Sequence, residues 1–300
     1  MTTATEHTAD QNAGTKNAGT EDTVARNAGA DVAASPLSAV LAAAKAQNRA
    51  ALVGYLPAGY PDVEGSIAAC RAMIEGGVDV IEVGLPYSDP QMDGPVIQRA
   101  VEHALGRGTN TPDVLRVVEG VAATGAPTLV MSYWNPIERY GVDRLARDLA
   151  AAGGAGLITP DLIPEEAGPW LAASEAHGLD RVFLVAQSST EERVARTVAA
   201  CRGFVYAASL MGVTGTRDAV NSEAEHLVLR TRKATGLPVC VGLGVSNAAQ
   251  AAEVARFADG VIVGSAFVRR LLEAENPAAG QRAVRELAEQ LAEGVRSGRR

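Results

Sequence analysis

The chain is poor in aromatic residues, which make up 4% of its 300 positions, so a core must come from the aliphatic part of a 47% hydrophobic composition. It has three cysteines, Cys70, Cys201 and Cys240, and no C-x-x-C pair. That odd, scattered set argues against a disulfide framework and a zinc ribbon, and fits a reducing cytoplasm. Histidine is equally sparse: His7, His103, His177 and His226 form no H-x-x-x-H pair, so no metal site is expected. No apolar run reaches the ~18 residues of a membrane span. No basic segment followed by an apolar one opens the chain, so no secretory signal is expected. Excess positive charge is absent as well. The formal net charge of −8 argues against a nucleic-acid or anionic-membrane partner.

Residues 1–34 lack Leu, Ile and aromatics, and repeat Asn-Ala-Gly at Asn12, Asn17 and Asn27. Such a segment cannot bury enough apolar surface to offset its ordering entropy, so it reads as a disordered tail. The pattern changes at Ser35. "SPLSAVLAAAKAQ" reads as a helix with a serine cap and Pro36 in its first turn. Eight short apolar runs follow, beginning at Ala51, Val78, Ala126, Ala155, Arg181, Phe204, Leu237 and Asp259. Each precedes a stretch of helical periodicity, such as "DVEGSIAACRAMIEGG" or "VDRLARDLAAAGG". Continuous apolar strands alternating with helices imply a parallel sheet covered on both faces. Eight such units predict an α/β fold, a single (β/α)8 TIM barrel over residues 35–300 with extra N-terminal and C-terminal helices. A doubly wound open sheet is the alternative. The last helix is expected from Pro277 to about Val295.

Barrel enzymes work at the C-terminal ends of their strands. "IEVGLPYSDPQMDG", from Ile81, puts Glu82 between two apolar residues near such an end. If Ile81 and Val83 face the helices, strand alternation turns Glu82 into the barrel mouth. A buried, unpaired carboxyl raises its pKa and becomes a candidate general acid near neutral pH. The structural alternative is a glutamate paired with a buried Arg or Lys. Asp93 follows on a loop held out of helix by Pro86, Pro90 and Pro95, where it can face Glu82 across a ligand. Two carboxyls in unlike environments can divide acid and base roles. Glycine-rich turns begin at Gly212, Gly242 and Gly264. The last two follow strands seven and eight, a common phosphate site in barrels, and Ser265 adds a hydroxyl. None is complete as a dinucleotide fingerprint or a P-loop. The residues alone point to acid–base chemistry on a small phosphorylated substrate.

The stretch "IEVGLPYSDPQMDGPVIQ" closely resembles the signature of the tryptophan synthase alpha chain family. So do "YLPAGYPD", "MSYWNP", "PDLIPEE", "SLMGVTGTR", "VGLGVS" and "GVIVGSAFV", in order, from Ser35 to Val295. The resemblance implies a (β/α)8 barrel that cleaves indole-3-glycerol phosphate to indole and glyceraldehyde 3-phosphate without a cofactor of its own. It implies Glu82 as the acid–base residue and Asp93 as the group holding the indole N–H. Tyr55 and Tyr206 then line the site, and Thr214 orients Asp93 from a loop after strand six. Gly215, Gly244, Gly264 and Ser265 match phosphate contacts. A beta chain carrying pyridoxal phosphate is the implied partner in an α2β2 assembly, with Asp89, Pro90 and Gln91 at the interface. Gln91, Ile163, Leu210 and Leu243 depart from the family's usual residues, which bears on loop dynamics and partner contact and not on the two carboxylates. A stand-alone indole-releasing lyase, a subunit that mainly activates its partner, and a different phosphate-binding isomerase barrel are the competing readings.

Overall fold

The computed structural model describes Met1 and residues 35–209, 217–242 and 244–298, with the side chains of 217–221 left aside. The expected tail beyond Met1, and the positions Leu210, Gly212, Thr214, Gly215 and Leu243, lie outside the described residues.

Eight parallel strands close a barrel in sequence order. They are β1 (Ala51–Pro57), β2 (Val80–Gly84), β3 (Thr128–Met131), β4 (Gly156–Thr159), β5 (Asp180–Ala186), β6 (Val205–Ala208), β7 (Val239–Gly242) and β8 (Gly260–Val263). β8 pairs back onto β1, Val53 opposite Ile262, which removes the open-sheet alternative. Six fall within the expected apolar runs, and β1 and β5 each reach one residue beyond theirs, to Pro57 and Asp180.

Strand alternation divides the core in two. Ile81, Val83, Val130, Leu157 and Val261 point outward and pack with helix residues such as Val117, Leu149, Trp170 and Phe267. Val53, Val80, Leu129, Ile158, Val182 and Ile262 fill the barrel interior. The same interior cluster contains Leu37, Leu41 and Ala44 of the first helix, Pro36–Ala46, which closes the N-terminal end. Ser35 caps that helix through Ser38 N–H, as its sequence predicts, and its hydroxyl also donates to Asp180 at 2.6 Å. The last helix runs Pro277–Ser297, two residues beyond the expected end.

Acidic side chains at the strand starts are paired. Asp79, just before β2, takes two bonds from Arg49 at 2.7 and 2.8 Å and one from Leu52 N–H. Asp259, before β8, accepts from Arg232 and from Val239 N–H. Asp180, the first residue of β5, lies 3.3 Å from Arg202. These pairs brace the end of the barrel opposite the site, where side chains serve stability.

Candidate active site

Glu82 lies in β2 between Tyr55 of β1 and Leu129 of β3 in the strand register. Ile81 and Val83 belong to the outer core, so Glu82 points into the barrel, and its exposure is 0%. Neither carboxyl oxygen has a hydrogen-bond partner among the described residues. The alternative of a buried salt bridge thus finds no support there. Burial pushes the Glu82 carboxyl up to about 8, because a charge in this site loses its water without gaining a cation.

Asp93 sits on the loop between β2 and the helix Pro95–Gly106 and is half-buried. Burial raises its carboxyl too. The two acids share one cavity of about 280 Å³ with Tyr55, Tyr206, Gly244, Gly264 and Ser265. That volume is close to the lower end of small-molecule pockets, roughly 300–1,000 Å³. Every described residue expected to bind substrate therefore lines a single pocket at the C-terminal end of the barrel.

The glycines have a local reason to be there. Tyr55 and Tyr206 fold inward over β2 and β7, and a Cβ on Gly84 or Gly242 would overlap their hydroxyl groups. Gly244 turns the chain after β7 with φ +66°, a left-handed conformation that glycine adopts without strain. Gly264 then leads directly into the helix Ser265–Leu272, whose first N–H groups have no intrahelical acceptor. Ser265 and these N–H groups make that end of the pocket suited to a phosphate.

Met92, Ile97, Met131, Ser209 and Ile262 also line the cavity and were not singled out from sequence. The apolar ones resemble ordinary core residues. Position supplied the available signal, since Met131 ends β3 and Ser209 follows β6. Asp89 and Gln91 are exposed and Pro90 is half-buried, all outside the pocket.

A family model described as tryptophan synthase alpha chain matches residues 41–296. The tryptophan synthase alpha chain of Thermobifida fusca is 66% identical over 263 residues, 87% of this chain and 97% of that one. Among solved structures, tryptophan synthase from M. tuberculosis in an aminoacrylate-bound form aligns with a TM-score of 0.80 at 56% identity, covering 87% of this chain and 100% of that one. Tryptophan synthase subunit alpha from Legionella pneumophila str. Paris gives 0.79 at 32% identity, covering 87% and 98%. With the two acids in one barrel mouth beside a phosphate-suited helix end, these matches place the chain in the tryptophan synthase alpha chain family.

Proposed function

We propose that Glu82 moves the protons, and Asp93 holds the developing charge, in cleavage of indole-3-glycerol phosphate to indole and glyceraldehyde 3-phosphate. The chain is a carbon–carbon lyase of the family that performs this reaction. Retro-aldol cleavage breaks the bond between indole C3 and the hydroxyl-bearing carbon beside it. The ring can leave as indole only after C3 is protonated, which puts positive charge on the ring nitrogen. Glu82, mostly neutral at pH 7, supplies that proton. Its carboxylate then takes the hydroxyl proton as the aldehyde forms, so no proton is gained or lost overall. Asp93 accepts from the ring N–H and stabilises the charge that builds there. The phosphate sits at Gly244, Gly264 and Ser265, on backbone N–H groups and the Ser265 hydroxyl. The observation that carries the assignment is Glu82: fully buried, without a described partner, and in one pocket with Asp93.

The exposed Asp89 and Gln91, with Pro90 between them, suit contact with a beta chain carrying pyridoxal phosphate, in an α2β2 assembly. Three buried free cysteines fit a cytoplasmic protein. Residues 35–300 act as the catalytic unit without the preceding segment. Indole release from indole-3-glycerol phosphate, measured with and without a beta chain, tests the assignment. Turnover by the chain alone, accelerated by the partner, is expected; no indole in either mixture overturns it, and equal rates remove the partner. Deleting residues 1–34 should leave the rate unchanged, and a loss would extend the catalytic unit into them.

A further inference from the structure

We infer that the Tyr133 hydroxyl is a positioning group for Asp93, an inference that rests on the role given to Asp93 above. Tyr133 follows β3 by two residues and is 6% exposed. Its hydroxyl oxygen accepts hydrogen bonds from two successive backbone N–H groups, Gln91 at 3.1 Å and Met92 at 2.9 Å. These are the last two N–H groups before Asp93. On the other side, the Gln98 side-chain amide donates to the Asp93 carbonyl at 2.8 Å. The Asp93 backbone is thus tied down from both directions. Its carboxyl has no hydrogen bond among the described residues and is left to the pocket.

Tyr133 is itself well anchored. Its ring lies against Tyr87, with centroids 5.5 Å apart, and the Tyr87 hydroxyl accepts from Asn135 at 2.9 Å. The next N–H, that of Trp134, donates to Asp161 at 2.9 and 3.1 Å. A phenol on a strand end thus sets the height of a loop containing no regular secondary structure. Without it, two amide donors lose their acceptor and the loop must find water or shift. A shift moves Asp93 relative to Glu82, and even a bridging water leaves the loop more loosely held. The same loop carries Asp89, Pro90 and Gln91, so Tyr133 also sets their register to the catalytic pair.

The test is a double-mutant cycle of Tyr133→Phe and Asp93→Asn on cleavage of indole-3-glycerol phosphate. Tyr133→Phe should lower kcat about tenfold or more, since misplacing a positioned group by an ångström can cost up to roughly 10²-fold. KM and inhibition by glycerol 3-phosphate should change less than about twofold, because the phosphate end is untouched. In the Asp93→Asn background, Tyr133→Phe should have almost no further effect. Gln91→Pro deletes one of the two donors without altering Tyr133, and should show the same non-additivity. It serves if Tyr133→Phe folds poorly. Wild-type kcat in Tyr133→Phe, or a full independent loss on top of Asp93→Asn, overturns the inference and leaves Asp93 catalytic. Wild-type kcat in Asp93→Asn overturns the role of Asp93 itself, and the inference with it.

Discussion

Four acidic side chains of this barrel illustrate how surroundings separate chemistry from scaffolding. Asp79, Asp180 and Asp259 each have an arginine at the strand starts. Glu82, toward the other end of β2, has none among the described residues. Its carboxyl, pushed up to about 8, costs stability as pH rises. Below the ordinary glutamate range both folded and unfolded chains hold the proton, and nothing is lost. Between about 4.5 and 8 the unfolded chain releases it while the folded chain retains it, so stability falls as pH rises. Replacing Glu82 by Gln removes that loss. In urea unfolding, the stability difference, Glu82→Gln minus wild type, should therefore grow by roughly 3–4 kcal/mol from pH 5 to pH 8. A difference independent of pH would mean that Glu82 ionises normally. The apolar neighbours of Glu82 made it visible in the sequence. Asp93 gained meaning only through its pairing with Glu82 and the family resemblance. The loop bonds of Tyr133 were not legible, because they join segments more than forty residues apart.

Elements were legible where periodicity is strong and obscure where tertiary contacts define them. The strands appeared as apolar runs because both faces of a barrel strand are buried. Sequence did not resolve the break at Gly141, where φ +98° separates the helices Trp134–Tyr140 and Val142–Ala151. The first helix shows both kinds of information. Its cap and proline were readable, whereas its place as the floor of the barrel depends on Leu37 and Leu41 entering the interior cluster. Ser35 joins the two roles by capping the helix and donating to Asp180. Ser35→Ala removes both bonds and should cost roughly 2 kcal/mol of unfolding free energy. Urea denaturation at neutral pH measures it. A change below about 0.3 kcal/mol would show that apolar packing alone seats the helix.

For the whole molecule, the two barrel ends carry different work. One end is closed by a helix and braced by ion pairs. The other gathers two carboxyls, two tyrosines and a helix N-terminus around one cavity. Eight alternating units made this architecture legible, and the rule that barrels react at their strand C-termini located the mouth. The cavity's apolar walls were not legible, since Met131 and Ile262 resemble any buried residue until the barrel closes. Release of indole turns on the proton assigned to Glu82. The rate of indole-3-glycerol phosphate cleavage by Glu82→Gln tests it most directly, because the variant keeps size and polarity but cannot act as an acid. A fall in kcat of at least roughly 10²-fold is expected, with glycerol 3-phosphate binding retained within about tenfold. Retention of more than about a tenth of wild-type kcat would contradict it, leaving Glu82 a structural carboxyl.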